Sequence, residues 1–182
     1  YPKNLILSQL LNDLNQKKNN NNLFNFKNIN HVLAEIFYII ANGFSSQENY
    51  TASNFYLNLA KYLNPKFLSF DILTAENLEA LKKYKDVIKI YEKIKKIGSD
   101  YSWHASKRIA SVLKEQGKEK ETIKYLKASF IKIKNPKIYE IFDYAEFLKN
   151  NEQYQDSIQY YSQLIKLINK KHILYSQALD GR

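Results

Sequence analysis

Ala41, Ala75, Ala110 and Ala145 fall 34, 35 and 35 residues apart, each late in an apolar stretch, and this period constrains the fold more than any other feature of the chain. A second series keeps step with it, because Tyr50, Tyr84, Glu119 and Tyr154 each follow nine residues behind an alanine. Whole units therefore recur, and not single residues. A period of about 34 residues is the length of one helix-turn-helix unit, and such units bury their apolar faces only by stacking on one another. The fold class implied is all-α, an array of antiparallel helix pairs.

The apolar spacing places the helices. Leu5, Leu7, Leu10, Leu11 and Leu14 predict one amphipathic helix over Lys3 to Lys17, the closing half of a unit that begins upstream. Gln16 to Asn28 contains the run Asn19-Asn20-Asn21-Asn22, which offers no apolar face, and is expected to be a mobile linker, the alternative being that Phe24 and Phe26 tack it down. Helix pairs then follow at His31–Ser46 with Tyr50–Leu63, Lys66–Leu81 with Tyr84–Ile97, Asp100–Glu115 with Lys118–Lys132, and Pro136–Lys149 with Tyr154–Ile168. Asn64-Pro65 stops one second helix, Gly117 is expected to supply a left-handed turn, and Pro136 is expected to start a helix. His172 to Leu179 opens a further pair.

Composition closes off several classes. With Gly 4 and Pro 3 in 182 residues the chain lacks the turns of an all-β protein, and without Cys it has neither disulfides nor thiolate metal sites. No apolar run reaches the roughly 18 to 20 residues needed to span a bilayer. The chain opens on Tyr1-Pro2 and stops at Asp180-Gly181-Arg182 inside another helical pattern, so it reads as a fragment of a longer protein. Any signal peptide would lie outside it, which leaves cytoplasm and periplasm both open. The net charge of +10 comes from an excess of Lys that is shared by Asn, Ile, Tyr and Phe, the residues of A/T-rich codons. Only Arg108 and Arg182 are arginine, the side chain preferred for bidentate phosphate and base recognition.

The periodic residues resemble the tetratricopeptide repeat. Its first helix matches Phe37, Ile40-Ala41 and Phe44 in the first unit, and its second helix matches Tyr50, Ser53, Leu57, Ala60 and Pro65. The second unit gives Thr74-Ala75, Leu78, Tyr84, Val87, Tyr91 and Ile94, and the third gives Ile109-Ala110, Leu113, Thr122, Leu126 and Ser129. In the fourth the matches are Tyr144-Ala145, Leu148, Tyr154, Ser157, Tyr161 and Leu164. Glycine is absent from the small site of every first helix, Asp71 stands where the family favours tryptophan, and Glu119 replaces the usual tyrosine. The resemblance covers Ala34 to Lys171 and extends loosely to bacterial multi-repeat proteins. It implies a right-handed α-α superhelix, or solenoid, of about four units, 34–67, 68–102, 103–137 and 138–170, with partial units at 1–29 and 171–182.

Nothing in the residues converges for catalysis. His31, His104 and His172 lack the spacing of helical metal ligands, there is no glycine-rich phosphate loop, and Glu76, Glu79 and Glu146 read as solvation or partner contacts. The expectation is a non-enzyme with no cofactor and no metal. In the tetratricopeptide repeat family the first helices line a concave groove. The resemblance assigns Tyr38, Asn42, Ile72, Glu76, Lys107, Ser111, Phe142 and Glu146 to that groove, with Tyr139 and Tyr175 near its C-terminal end. The alternative for the tyrosines is packing between units. Family members that bind chaperones hold a peptide carboxylate with lysine, asparagine and arginine; Asn42 and Lys107 resemble parts of that cluster, whereas Ile72, Glu76 and Glu146 contradict it. The expected function is a protein- or peptide-binding scaffold. Its rival is a binder of nucleic acid or anionic membrane through convex lysines, Lys85, Lys89, Lys93 and Lys96 on one second helix and Lys120, Lys124 and Lys127 on the next.

Overall fold

The computed structural model describes residues 5–15 and 24–182. Among the described residues there are ten α-helices and no strand: α1 (Leu5–Asn15), α2 (Ile29–Ser46), α3 (Tyr50–Leu63), α4 (Ser69–Ala80), α5 (Tyr84–Ile94), α6 (Ser99–Glu115), α7 (Glu119–Ile131), α8 (Ile138–Lys149), α9 (Tyr154–Leu167) and α10 (Leu174–Asp180). Most of the expected linker, including the asparagine run, lies outside the described residues. The chain forms two compact units, one ending at Val112 and the other spanning Leu113–Arg182.

The period reappears in the backbone. Glu48, Lys82, Gly117 and Glu152 each stand seven residues after one of the four alanines, and all four hold a left-handed φ, of 60°, 57°, 73° and 60°. Each turn closes the same way. Residue 49 donates its N–H to Phe44 C=O at 2.9 Å, residue 83 to Leu78 at 2.8 Å, residue 118 to Leu113 at 3.0 Å and residue 153 to Leu148 at 2.9 Å. This six-residue hydrogen-bonded closure with a left-handed residue inside it satisfies the orphan carbonyls at the end of each first helix. Glycine adopts the conformation freely at one turn only, and the other three hold a side chain where its β-carbon crowds the following carbonyl. Glu48→Gly, Lys82→Gly and Glu152→Gly are each expected to stabilise the chain by about 0.5–1 kcal/mol. Gly117→Ala should cost about 1 kcal/mol from the backbone alone, because a β-carbon there would meet nothing within 4 Å. Urea unfolding of the four variants reads these signs.

In the first unit α2 packs on α3, α3 on α4 and α4 on α5. Ala34, Ala41, Leu57, Ala60, Phe70 and Leu73 form the core, with Phe37, Tyr38, Tyr56, Leu63 and Phe67 against it. Alanine at 41 and 75 is fully buried, and the small side chain leaves room for a close helix crossing. One polar knot lies inside. Asn77 is buried and donates to Ser53 Oγ at 2.8 Å and Asn54 Oδ1 at 2.9 Å, while Ser45 donates to its Oδ1 at 2.6 Å. Three helices are thereby held in register. Asp71 pairs with Lys61 across α3 and α4.

The first helix, α1, turns its polar side to the protein. Ser8 donates to Asp100 at 2.8 Å, Gln9 Oε1 accepts from Asp100 N–H at 3.2 Å, and Asn12 donates to Ser99 at 2.6 Å. Gly98 makes this possible, since a β-carbon there would lie 2.2 Å from the Gln9 side chain. Leu11 and Leu14 are left exposed.

In the second unit α8 packs on α9 and α9 on α10. Ser157 donates to the Ala145 carbonyl at 2.9 Å, a bond that only a close crossing of α8 and α9 allows. Phe130 stacks on Tyr144 with ring centroids 4.1 Å apart, and Tyr160 closes edge-on against both, 5.4 and 4.9 Å away. Tyr161 is buried, and a β-carbon on Gly181 would lie 2.3 Å from its ring. Pro136 does not start α8. The helix begins at Ile138, because Glu140 reaches back to accept the Lys137 N–H at 2.7 Å and fixes the first turn two residues beyond the proline.

Candidate functional site

The ten residues assigned to a groove divide between the two units. Tyr38, Asn42, Ile72, Glu76, Lys107 and Ser111 belong to the first, on α2, α4 and α6; Tyr139, Phe142, Glu146 and Tyr175 belong to the second, on α8 and α10.

In the first unit, contacts run from each first helix to the next. Tyr38 of α2 meets Phe70 of α4 with centroids 5.5 Å apart, and Ser45 of α2 bonds Asn77 of α4. Glu79 of α4 accepts from Arg108 of α6 at 2.6 Å. The side chains on this run differ in availability. Asn42 and Glu76 are exposed, and Ile72, Lys107 and Ser111 are half-buried. Tyr38 is half-buried between Phe67 and Phe70, so its ring is a wall of the core as much as a contact surface. Asn42 donates to the Tyr38 carbonyl at 3.2 Å, one turn back on its own helix.

Arg108 is the centre of this region. Its guanidinium bonds Glu79 at 2.6 Å and the Tyr91 hydroxyl at 3.2 Å, and it lies 5.9 Å from the Tyr91 ring centroid. Burial works against its charge, but the Tyr91 hydroxyl and the carboxylates of Glu79 and Glu76 outweigh that and raise its pKa. Tyr91 is itself raised, by burial first, with Arg108 pulling partly the other way. A fixed cation flanked by the exposed Glu76 and the half-buried Lys107 gives this part of α4 and α6 alternating charge. Periodicity does not reveal Arg108. The available signal was its rarity, one of two arginines in a lysine-rich chain.

In the second unit Glu146 accepts a hydrogen bond from Tyr161, which takes up one of its carboxylate oxygens. The Tyr161 hydroxyl is held protonated, its pKa raised by burial and then by that carboxylate. Phe142 packs edge-on to Tyr161 at 6.1 Å, and Tyr139 lies 6.2 Å from His172.

The histidines have local roles. His31 Nδ1 accepts from Asn25 N–H at 3.0 Å and His172 Nδ1 from Leu174 N–H at 3.1 Å, each at the start of a helix, while His104 faces Tyr91. Among the described residues no three His, Cys, Asp or Glu side chains are grouped as a metal site, and no helix is long and apolar enough to cross a membrane. Lys85, Lys89, Lys93 and Lys96 of α5 and Lys120, Lys124 and Lys127 of α7 are exposed. Acidic neighbours temper both rows, with Lys89 3.2 Å from Asp86 and Lys127 3.6 Å from Asp156. A scan against protein-family models and a search of curated proteins give no match.

Proposed function

We propose that the chain is a tetratricopeptide-like right-handed superhelix that binds a protein or peptide segment along its first helices, and that it is not an enzyme. The observation that carries this reading is the recurrence of one turn geometry, with a left-handed residue seven positions after each buried alanine. The same turn recurs in every helix pair, as it does in repeat proteins whose stacked pairs present a recognition face. The chemistry of the face in the first unit supports a peptide over a polyanion. Asn42, Glu76, Lys107 and Ser111 mix donors, acceptors and both charges, and Glu76 would repel phosphate. In the first unit Tyr38 acts as a wall and these polar groups as readers. A preformed face of this kind orders little on binding, so its contacts go largely into affinity.

The test begins with peptides selected from a random phage-displayed library on the intact chain. Glu76→Ala with Lys107→Ala is expected to weaken the selected peptides about tenfold, the loss of roughly 1.4 kcal/mol, with helical content unchanged. Lys89→Glu with Lys124→Glu should leave them within about twofold. Loss only in the lysine variant, fading as salt rises, would favour the anionic-polymer or anionic-membrane reading instead.

A further inference from the structure

We propose that a second copy of this chain docks on the outer face of α2. Ile29, Leu33, Ile36 and Ile40 recur at separations of four, three and four residues and, with Ile39, are between 36% and 66% exposed with α1 in place. That spacing is the seam of a helix that expects a partner helix. Elsewhere in the first unit Leu57, Leu73, Val87 and Ile94 are buried.

Charge selects the occupant. The chain carries 28 Lys and Arg in 182 residues, yet none falls between Lys27 and Lys61. At a net charge of +10, two copies repel wherever lysines meet, and the lysine-free α2–α3 hairpin is where they can close without that cost. On α2 itself Glu35 is the one formal charge and is not part of the stripe Ile29, Leu33, Ile36 and Ile40, which is uncharged. An acidic partner would be drawn to the lysine rows instead. A two-fold antiparallel pairing of α2 sets Ile29 opposite Ile40 and Leu33 opposite Ile36, which makes the stripe self-complementary, as an isologous interface must be. An 18-residue helix is about 27 Å long and about 10 Å wide, so the paired faces are smaller than a standard interface and the association is a weak, transient one. A dissociation constant on the order of 10 μM is expected for such a pairing. This inference does not depend on the binding face of α4 and α6.

Sedimentation equilibrium of the full chain tests it. The parent is expected to be dimeric at about 100 μM and mainly monomeric at about 1 μM, the behaviour of a dissociation constant near 10 μM. Ile36→Lys should weaken association at least tenfold with unchanged circular dichroism, and Ile36→Leu should retain it. Because the chain has no Cys, Ile36→Cys provides a single thiol, and a bis-maleimide of about 10 Å reach should join two copies through it. Three results would overturn the proposal: a parent monomeric at 100 μM, a dimer undiminished by Ile36→Lys, or an Ile36→Cys, Leu11→Cys double variant that cross-links within one chain. The last would make α1 the occupant.

Discussion

Tyr161→Ala is expected to lower the stability of the chain by about 3–5 kcal/mol, the cost of removing a large buried aromatic. For a chain of this size that is a fall in midpoint of roughly 6–20 °C. The ring fills the space between Phe142 and Gly181, and its hydroxyl bonds Glu146, so the truncation leaves both a cavity and a carboxylate without its donor. Tyr161→Phe separates the two effects. It keeps the ring and should cost only about 1.5–3 kcal/mol, the range for a hydrogen bond to a charged group. A thermal melt of Tyr161→Ala that matches the parent would remove Tyr161 from the core.

Ala75→Leu and Ala145→Leu are each expected to cost about 1–3 kcal/mol or more by overpacking. Both alanines are fully buried, and at Ala145 the backbone of α8 is close enough for Ser157 of α9 to reach its carbonyl. Three added carbons at that crossing must push the helices apart and break this bond. Ala80→Leu, at an exposed position on the same helix as Ala75, should change stability by less than about 0.5 kcal/mol. Equal melts for all three would mean that the alanine period does not mark helix crossings.

The helices were legible because the repeat prints one local pattern four times. Tyr50–Leu63 is a helix with the bounds that its flanking Asn49 and Asn64-Pro65 suggest. The left-handed turn was readable only at Gly117, since Glu48, Lys82 and Glu152 adopt it against their own preference, under the demand of the helix packing around them. Pro136 misled by two residues because a side-chain contact from Glu140 sets the start of α8. Glu119 in place of tyrosine is explained by exposure, which Tyr154 shares at the equivalent position.

The candidate site was less legible. Helical spacing says which residues share a face and nothing about which partner each has already taken. Glu146 bonds Tyr161, Glu79 is held by Arg108, and Tyr38 is wedged between two phenylalanines. These are contacts between residues 15 to 32 positions apart, fixed by the stacking and invisible to periodicity. For the same reason α1, whose leucines suggest an inward apolar face, lies against Asp100 through Ser8 and Gln9.

The most direct measurement of the binding face is an amide chemical-shift titration of the ¹⁵N-labelled chain with the strongest peptide selected on it. Saturable shifts are expected to concentrate on α2, α4 and α6 around Asn42, Glu76, Lys107 and Ser111, with α3 and α5 largely unmoved. Shifts confined to the α5 lysines, with α4 and the Lys107 region unaffected, would contradict it.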